Sequence, residues 1–370
     1  MNRFVRRCRA VVDRLNKSSV DALLVTHLAH LAYLTGFRSS AGVAIVSADS
    51  VLLIVDSRYL TVAKELVKSG FAPGDLTIVP VDRSYDQSVL ELFAENNWKQ
   101  VGVESDHLSV RRWLWFNESL RGLETSLVPV EGIVEAERLR KDEDEIVLLS
   151  EAGRLISKVI PLAVDLVQPG CSELKIAGQI DLLLNRMGFE DRSFPTIVAS
   201  GEHSALPHAR PSERVIGTGE FVLLDFGGVH SGYCVDVSRT VCLGNANDEM
   251  VRIHEAVSEA QTRAFDMVRP GVAAHEIDSA ARLVLERNGL AEFFGHATGH
   301  GIGLEVHESP RIGKHGQMGT DVIIEPGMVF TVEPGVYIPG LGGVRIEDDV
   351  LVTEEGCSVL TEASRELLVP

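Results

Sequence analysis

At 370 residues, with 45% hydrophobic and 24% charged side chains and no low-complexity tract, the chain can build two domains with cores of their own, and its composition is neither disordered nor membrane-spanning. Its formal net charge of −18 disfavours nucleic acid and anionic membrane as partners, because phosphate binding needs a concentrated positive surface. The five cysteines, Cys8, Cys171, Cys234, Cys242 and Cys357, are odd in number and scattered, which points away from a disulfide framework or zinc knuckle and toward a reduced cytoplasmic setting.

The first residues are basic, but Asp13, Arg14 and Lys17 interrupt any apolar segment that an export leader would need. Phe4, Val5, Cys8, Val11, Val12 and Leu15 fall instead on one face of a helix. Strand patterns follow at 22–25, 42–46, 51–55, 76–81 and 100–103, alternating with helical ones, so an α/β domain is expected. After Val128-Pro129-Val130 comes a charge run over 135–145. A long helical stripe follows it, formed by Ile146, Leu149, Gly153, Ile156, Ile160, Ala163, Val164 and Val167. The junction is placed near residue 130, giving domains 1–130 and 131–370.

Beyond that junction the chain repeats itself. Val167-Gln168-Pro169-Gly170 aligns with Val268-Arg269-Pro270-Gly271, and the same offset of 101 pairs Ile176 with Ile277, Leu182 with Leu283, Leu184 with Leu285, Arg186 with Arg287 and Gly188 with Gly289. Both segments read as amphipathic helices that start after Pro-Gly and end at a glycine able to turn left-handed. Each is followed by a β-hairpin pattern. Asp225 ends the apolar run of the first hairpin and Glu333 that of the second, while Asp236 and Glu347 match further along. Two half-domains related by a pseudo-two-fold would bring these four carboxylates together.

Each of these acids lies inside an apolar stretch, where a bare carboxylate is costly unless it is paired or binds a cation. A lone Asp in a strand is usually a cap or salt-bridge residue, but duplicated settings make that reading weak. His300, in Gly299-His300-Gly301, adds an imidazole flanked by glycines that allow close backbone approach. Hard oxygens with one imidazole suit Mn²⁺, Co²⁺, Fe²⁺ or Zn²⁺, and four carboxylates exceed the needs of one ion. Two divalent ions, ~3.5 to 4 Å apart, would use all five groups and make a nucleophile from water at neutral pH. His208 and His307 are then free for substrate, as an oxyanion donor or a proton shuttle. Arg311 and Arg345 suit a bidentate grip on a carboxylate, although Arg345 equally suits pairing with a neighbouring ligand carboxylate. The other histidines, including His296, draw no assignment.

The motifs closely resemble those of the creatinase, prolidase and methionine aminopeptidase superfamily, and within it the Xaa-Pro peptidases. The carriers are the segments 196–201 (TIVASG) and 204–208 (SALPH), Leu224-Asp225-Phe226-Gly227, and the segments 236–240 (DVSRT), 299–308 (GHGIGLEVHE), 325–335 (EPGMVFTVEPG) and 343–349 (GVRIEDD). The resemblance implies an α/β creatinase-like N-terminal domain, carrying Tyr33-Leu34-Thr35-Gly36-Phe37, plus an α+β pita-bread C-terminal domain with the internal pseudo-two-fold duplication. It implies two divalent ions, Mn²⁺ first, with Co²⁺ or Zn²⁺ as substitutes. Asp225, Asp236 and Glu347 would bind one ion, and Asp236, His300, Glu333 and Glu347 the other. It gives Glu333 the proton of the attacking nucleophile, His307 the tetrahedral intermediate, His208 the residue after the scissile bond and Arg311 the C-terminal carboxylate of a dipeptide. A homodimer is implied too, with the loop 38–40 reaching the neighbour's site. The expected partners are short proline-containing peptides, with the dipeptidase reading ahead of an aminopeptidase on longer peptides, a same-fold hydrolase of another small amide, and a silent binding module. Two departures, Ala209 after His208 and the pair Glu202-His203, bear on substrate preference more than on catalysis.

Overall fold

A computed structural model describes residues 2–367. The first unit opens with α1 (Arg3–Lys17), whose buried face contains Phe4, Cys8, Val11 and Leu15. There follow β1 (Ala22–Val25), α2 (Leu28–Thr35), β2 (Val43–Ser47), β3 (Val51–Val55), α3 (Leu60–Lys68), β4 (Leu76–Pro80), α4 (Tyr85–Asn96), β5 (Gln100–Glu104), α5 (Val110–Ser119), β6 (Ser126–Val130) and α6 (Glu135–Arg138). Six strands make one sheet in the order β4-β3-β2-β1-β5-β6. β1, β2 and β3 pair antiparallel, whereas β4 joins β3, β5 joins β1 and β6 joins β5 in parallel. The three central antiparallel strands are buried at every position, which is why they read as unbroken apolar runs. β6 escaped the sequence reading because Pro129 interrupts it. An edge strand tolerates that proline, since it need not donate to a ladder there.

The described residues fall into two compact units that meet in sequence at Arg138/Leu139. The charged segment after β6 still packs on the first unit: Arg14 donates to the Glu137 carboxylate at 2.6 Å, and the Tyr33 hydroxyl donates to the Glu137 carbonyl at 3.1 Å.

The second unit begins with α7 (Glu143–Asp165), started by a capping box in which the Asp142 and Glu145 side chains accept each other's backbone N–H at 3.1 and 3.0 Å. Then come α8 (Glu173–Arg186), β7 (Asp191–Arg192), β8 (Ile197–Ser200), a 3₁₀ turn (Gly201–Ala205), β9 (Glu220–His230) and β10 (Tyr233–Leu243). The second half supplies α9 (Asp248–Met267), α10 (Ala274–Arg287), a 3₁₀ turn (Ala291–Phe293), β11 (Gly299–Gly301), β12 (Glu308–Ile312), β13 (Val329–Val332), β14 (Gly335–Ile338), β15 (Gly342–Arg345), β16 (Asp348–Val352) and β17 (Cys357–Val359).

The repeat is real at the level of backbone. α8 and α10 begin and end at positions one offset apart, and Gly188 and Gly289 both follow them with φ of 94° and 69°. Each half has its own core. Ile156, Ile160, Ile176 and Ile180 pack on Val222, Leu224, Val235 and Val237, and Val257, Ala260, Ile277 and Leu285 pack with Phe330, Val332, Ile346 and Val350. The halves differ in their hairpins. β9 and β10 run 11 residues each without a break, whereas the second hairpin is cut at Glu333-Pro334 and Ile346-Glu347, where Pro334 has no N–H to continue a ladder.

Gly153, on the buried face of α7, has no room for a side chain, because an added Cβ would strike the Leu360 carbonyl. Gly153→Ala is expected to cost about 1–3 kcal/mol of stability by overpacking, despite alanine's better helix propensity. Urea denaturation reads the change, and a midpoint at or above that of the wild type would contradict this packing.

Candidate active site

Asp225 and Asp236 sit in the middle of β9 and β10, in a ladder that sets Ser238 opposite Asp225 and Gly227 opposite Asp236. Glu333 and Glu347 occupy the two breaks of the second hairpin. The Glu333 N–H donates to the Thr298 carbonyl at 2.7 Å, and the Glu347 N–H donates to the Ser238 carbonyl at 3.1 Å, joining the second half to β10 of the first. His300 lies at the centre of β11, between β12 and β13. A Cβ at Gly299 would meet the Thr331 carbonyl and one at Gly301 the Ser309 carbonyl, so only glycine lets the strand fit there.

This backbone brings all five expected ligands together. His300 Nε2 is 3.9 Å from Asp236 Oδ2 and 3.5 Å from Glu333 Oε1, and donor atoms of Asp236, His300 and Glu347 lie within 4.8 Å of one another. Asp225 is tied in through Arg345, whose Nη2 donates to Asp225 Oδ2 while its Nε donates to Ser238 Oγ at 2.9 Å. Ser238 Oγ in turn donates to Glu347 Oε2 at 2.6 Å.

Burial and mutual repulsion push these carboxyls up. Burial raises Asp236 and Glu347 well above the ordinary range, reinforced at Asp236 by the charges of Glu347, Asp225, Asp349 and Glu333, and at Glu347 by those of Glu333 and Asp225. Glu333 is pushed up to about 7 by burial, against the pull of Arg345. Burial, followed by neighbouring His307, takes His300 down to about 4, so its imidazole is neutral at pH 7. Its Nδ1 lies 3.0 Å from the Gly301 carbonyl, an acceptor; the proton therefore sits on Nδ1 and the Nε2 lone pair faces the carboxylates. Asp225 Oδ1, Asp236 Oδ1 and Glu347 Oε1 are buried without a hydrogen-bond partner. Orphaned anionic oxygens beside a lone-pair nitrogen fit divalent cations of the borderline class.

The remaining predicted residues line up as follows. His307 is exposed, with its ring centroid 4.3 Å from that of His300. His208 is exposed, next to Pro207, whose carbonyl accepts from Arg345 at 3.3 Å. Arg311 is exposed on β12 as the ladder partner of His300, which puts both side chains on one face. Arg345, by contrast, is buried and engaged with Asp225, Ser238, Tyr337 and the Pro207 carbonyl. These contacts are those of the alternative reading of Arg345, in which it pairs with a neighbouring ligand carboxylate. His203, one of the two departures, is held by Glu173 at 2.9 Å.

Three residues escaped the sequence reading. Tyr337 accepts from Arg345 at 2.7 Å and pairs with His296 Nε2 at 2.9 Å, and His296 Nδ1 lies 4.0 Å from Glu333 Oε2. Gln261, fully buried on α9, donates from Nε2 to the Val332 carbonyl at 3.0 Å, the Ile346 carbonyl at 3.2 Å and Asp348 Oδ2 at 3.1 Å. It thus clamps the residue before each glutamate. Its signal was an amide on the otherwise apolar stripe Val257, Ala260, Ala264.

Comparison with known proteins agrees with this architecture. Residues 147–354 match metallopeptidase family M24, and residues 7–140 match the creatinase/prolidase N-terminal domain. The chain belongs to metallopeptidase family M24, an enzyme family that works with divalent metal ions. It is 37% identical over 350 residues to an uncharacterized peptidase of Bacillus subtilis, covering 95% of this chain and 96% of the relative. It superposes on the structure of an Xaa-Pro dipeptidase from Bacillus anthracis with a TM-score of 0.92 at 35% identity, covering 99% and 100% of the two chains. An X-Pro aminopeptidase from Thermotoga maritima matches with a TM-score of 0.86 at 33% identity, over 97% and 100%. The pita-bread catalytic fold follows from these likenesses. Among the described residues no helix is long and apolar enough to cross a membrane.

Replacing Gln261 with Met keeps the volume but removes the N–H groups that reach the Val332 and Ile346 carbonyls. Gln261→Met is expected to destabilise by about 1–3 kcal/mol, and to weaken Mn²⁺ binding in a calorimetric titration; unchanged stability and affinity would refute the clamp. The raised carboxyls also make a pH prediction. A carboxyl whose folded pKa lies above its unfolded one stabilises the fold only while protonated, so that contribution is lost as pH climbs, for Glu333 from its ordinary 4.5 through about 7. The Tm of metal-stripped protein should therefore fall between pH 5 and 8, and added Mn²⁺ should raise it more at pH 8 than at pH 5. An equal gain at both would contradict a cation-shaped site.

Proposed function

We propose that this M24 metallopeptidase hydrolyses the bond before proline in Xaa-Pro dipeptides, using two divalent ions, Mn²⁺ foremost. The observation that carries the reading is the clustering of Asp236, His300 and Glu347, with Glu333 beside His300 and Asp225 joined through Arg345 and Ser238, around orphaned carboxylate oxygens of Asp225, Asp236 and Glu347. The full-length likeness to the Bacillus anthracis Xaa-Pro dipeptidase supports the substrate class. The same reading carries the cytoplasmic setting and the homodimer.

In it, Asp225, Asp236 and Glu347 hold one ion, and Asp236, His300, Glu333 and Glu347 the other. Bound divalent ions supply a nucleophilic water near neutral pH and polarise the scissile carbonyl. Glu333 takes the proton of the attacking water as general base. His307 has a ring N–H to offer the oxyanion of the tetrahedral intermediate. His208 orients the residue after the scissile bond. Arg311, exposed on the face it shares with His300, holds the dipeptide's C-terminal carboxylate with its fork. Such a substrate needs a dedicated enzyme, because the imino bond offers no N–H and restricts the backbone.

A second reading, an aminopeptidase that removes the residue before proline from longer peptides, is favoured by the likeness to the Thermotoga maritima enzyme. Hydrolysis of Ala-Pro, Met-Pro, Ala-Pro-Ala and Ala-Ala by metal-stripped protein with Mn²⁺, Co²⁺ or Zn²⁺ restored separates the two. Metal-dependent cleavage confined to Ala-Pro and Met-Pro is the expected result. Cleavage of Ala-Pro-Ala would move the protein to the second reading, and cleavage of Ala-Ala alone would contradict both.

A further inference from the structure

The first unit carries a second cluster of metal-ligating side chains, far from carboxylate-rich chemistry in its composition. β1, β5 and β6 are neighbours and parallel, so the segments leaving their C-terminal ends emerge together. The segment after β1 brings His27, at the N-cap of α2, and His30 one turn on. The segment after β5 brings His107, and the segment after β6 brings Glu135, the first residue of α6. β1 is also where the sheet changes direction, with antiparallel β2 on one side and parallel β5 on the other. The crevice outside the carboxyl ends of strands at such a point is where α/β sheets place ligands.

One donor nitrogen each from His27, His30 and His107 lie within 4.8 Å of one another. Glu135 Oε1 is 3.8 Å from His30 Nε2 and 3.8 Å from His107 Nε2, facing both. Distances of this size suit groups that share an ion through bonds of about 2.0–2.1 Å better than they suit direct hydrogen bonds. His30 is the most telling member. It is 1% exposed, and its Nε2 has no hydrogen-bond partner. Its Nδ1 lies 2.5 Å from Glu104 Oε1, and Glu104 is itself buried and fixed by the N–H groups of Thr26 at 2.6 Å and His27 at 2.9 Å. A carboxylate accepts only, so the Nδ1 proton points at Glu104 and Nε2 is the ring nitrogen left to face the cluster. That carboxylate–histidine pairing is the arrangement that orients imidazoles toward metals.

We propose that His30, His107, Glu135 and His27 form a zinc site in the first unit, separate from the M24 centre, which ties together the three segments leaving β1, β5 and β6. Three imidazoles and one carboxylate are a zinc-type donor set, poorer in oxygen than the pair of ions expected in the second unit. His27 is stacked on His107 with centroids 3.7 Å apart and planes at 13°, which sets its ring beside the other two imidazoles.

The test counts zinc in the full-length protein after stripping, reloading with Zn²⁺ and gel filtration, by inductively coupled plasma mass spectrometry. Five forms are compared: wild type, His107→Ala, Glu135→Gln, the double variant Asp236→Asn/Glu347→Gln, and that double variant with His107→Ala added. His107 is partly exposed and Glu135→Gln is nearly isosteric, so both variants keep the fold, which circular dichroism checks. The proposal expects His107→Ala to hold about one zinc fewer than wild type, Glu135→Gln to hold its zinc more weakly, and the double variant to keep about one zinc that a further His107→Ala removes. Equal zinc content in wild type and His107→Ala, or none in the double variant, would overturn it and leave the three rings as a packing cluster. Failure here leaves the peptidase reading untouched, because no residue of the cluster belongs to the M24 centre.

Discussion

Four carboxylates gathered in one buried place are the constraint around which the second unit is arranged. Each would ionise freely in water, and each is held where burial resists ionisation, reinforced at Asp236, Glu347 and Glu333 by the charges of neighbouring carboxylates. Within the chain, Arg345 is the main countercharge, buried among them and bonded to Asp225. One guanidinium cannot neutralise four carboxylates, and three of their oxygens are left without a partner. A buried anion in that state is tolerable when a cation completes it, so the energetic deficit of the bare protein and its metal requirement are the same fact.

The duplicated backbone explains how the acids meet, and its asymmetry explains what each can do. In the first half, Asp225 and Asp236 project from an unbroken ladder and are rigidly spaced. In the second, Glu333 and Glu347 stand at strand breaks, where the backbone is free of ladder bonds and must be fixed otherwise. Gln261, the Thr298 carbonyl and the Ser238 carbonyl do the fixing. Glutamate side chains at the breaks are one methylene longer than the aspartates in the strands, so they span the wider gap to the centre. Glycines on either side of His300 complete the arrangement by letting a third strand approach closely enough for the imidazole to reach the acids.

Much of this was legible in the sequence because periodicity and duplication are linear signals. An offset of 101 residues paired the two repeat helices, whose ends in the structure are that same offset apart, and acids set in apolar runs singled out the carboxylates that the two hairpins carry. What was not legible depends on pairing across long separations. Nothing local distinguishes an Arg345 that grips substrate from one whose fork is filled by Asp225, Ser238 and Tyr337. Gln261 left only the faint trace of an amide on an apolar stripe. β6 was hidden by Pro129, and the charged run after it looks like a linker until Glu137 is seen bonded to Arg14. The histidine cluster of the first unit was invisible for the same reason: its members come from three segments that only the sheet order brings side by side.

The central claim, that five side chains of the second unit form a two-ion centre, is tested most directly by crystals grown with Mn²⁺ and measured on both sides of the manganese absorption edge. Two anomalous peaks, one touching Asp225, Asp236 and Glu347 and the other Asp236, His300, Glu333 and Glu347, are the predicted result. A single peak there, or manganese bound only elsewhere, would contradict it.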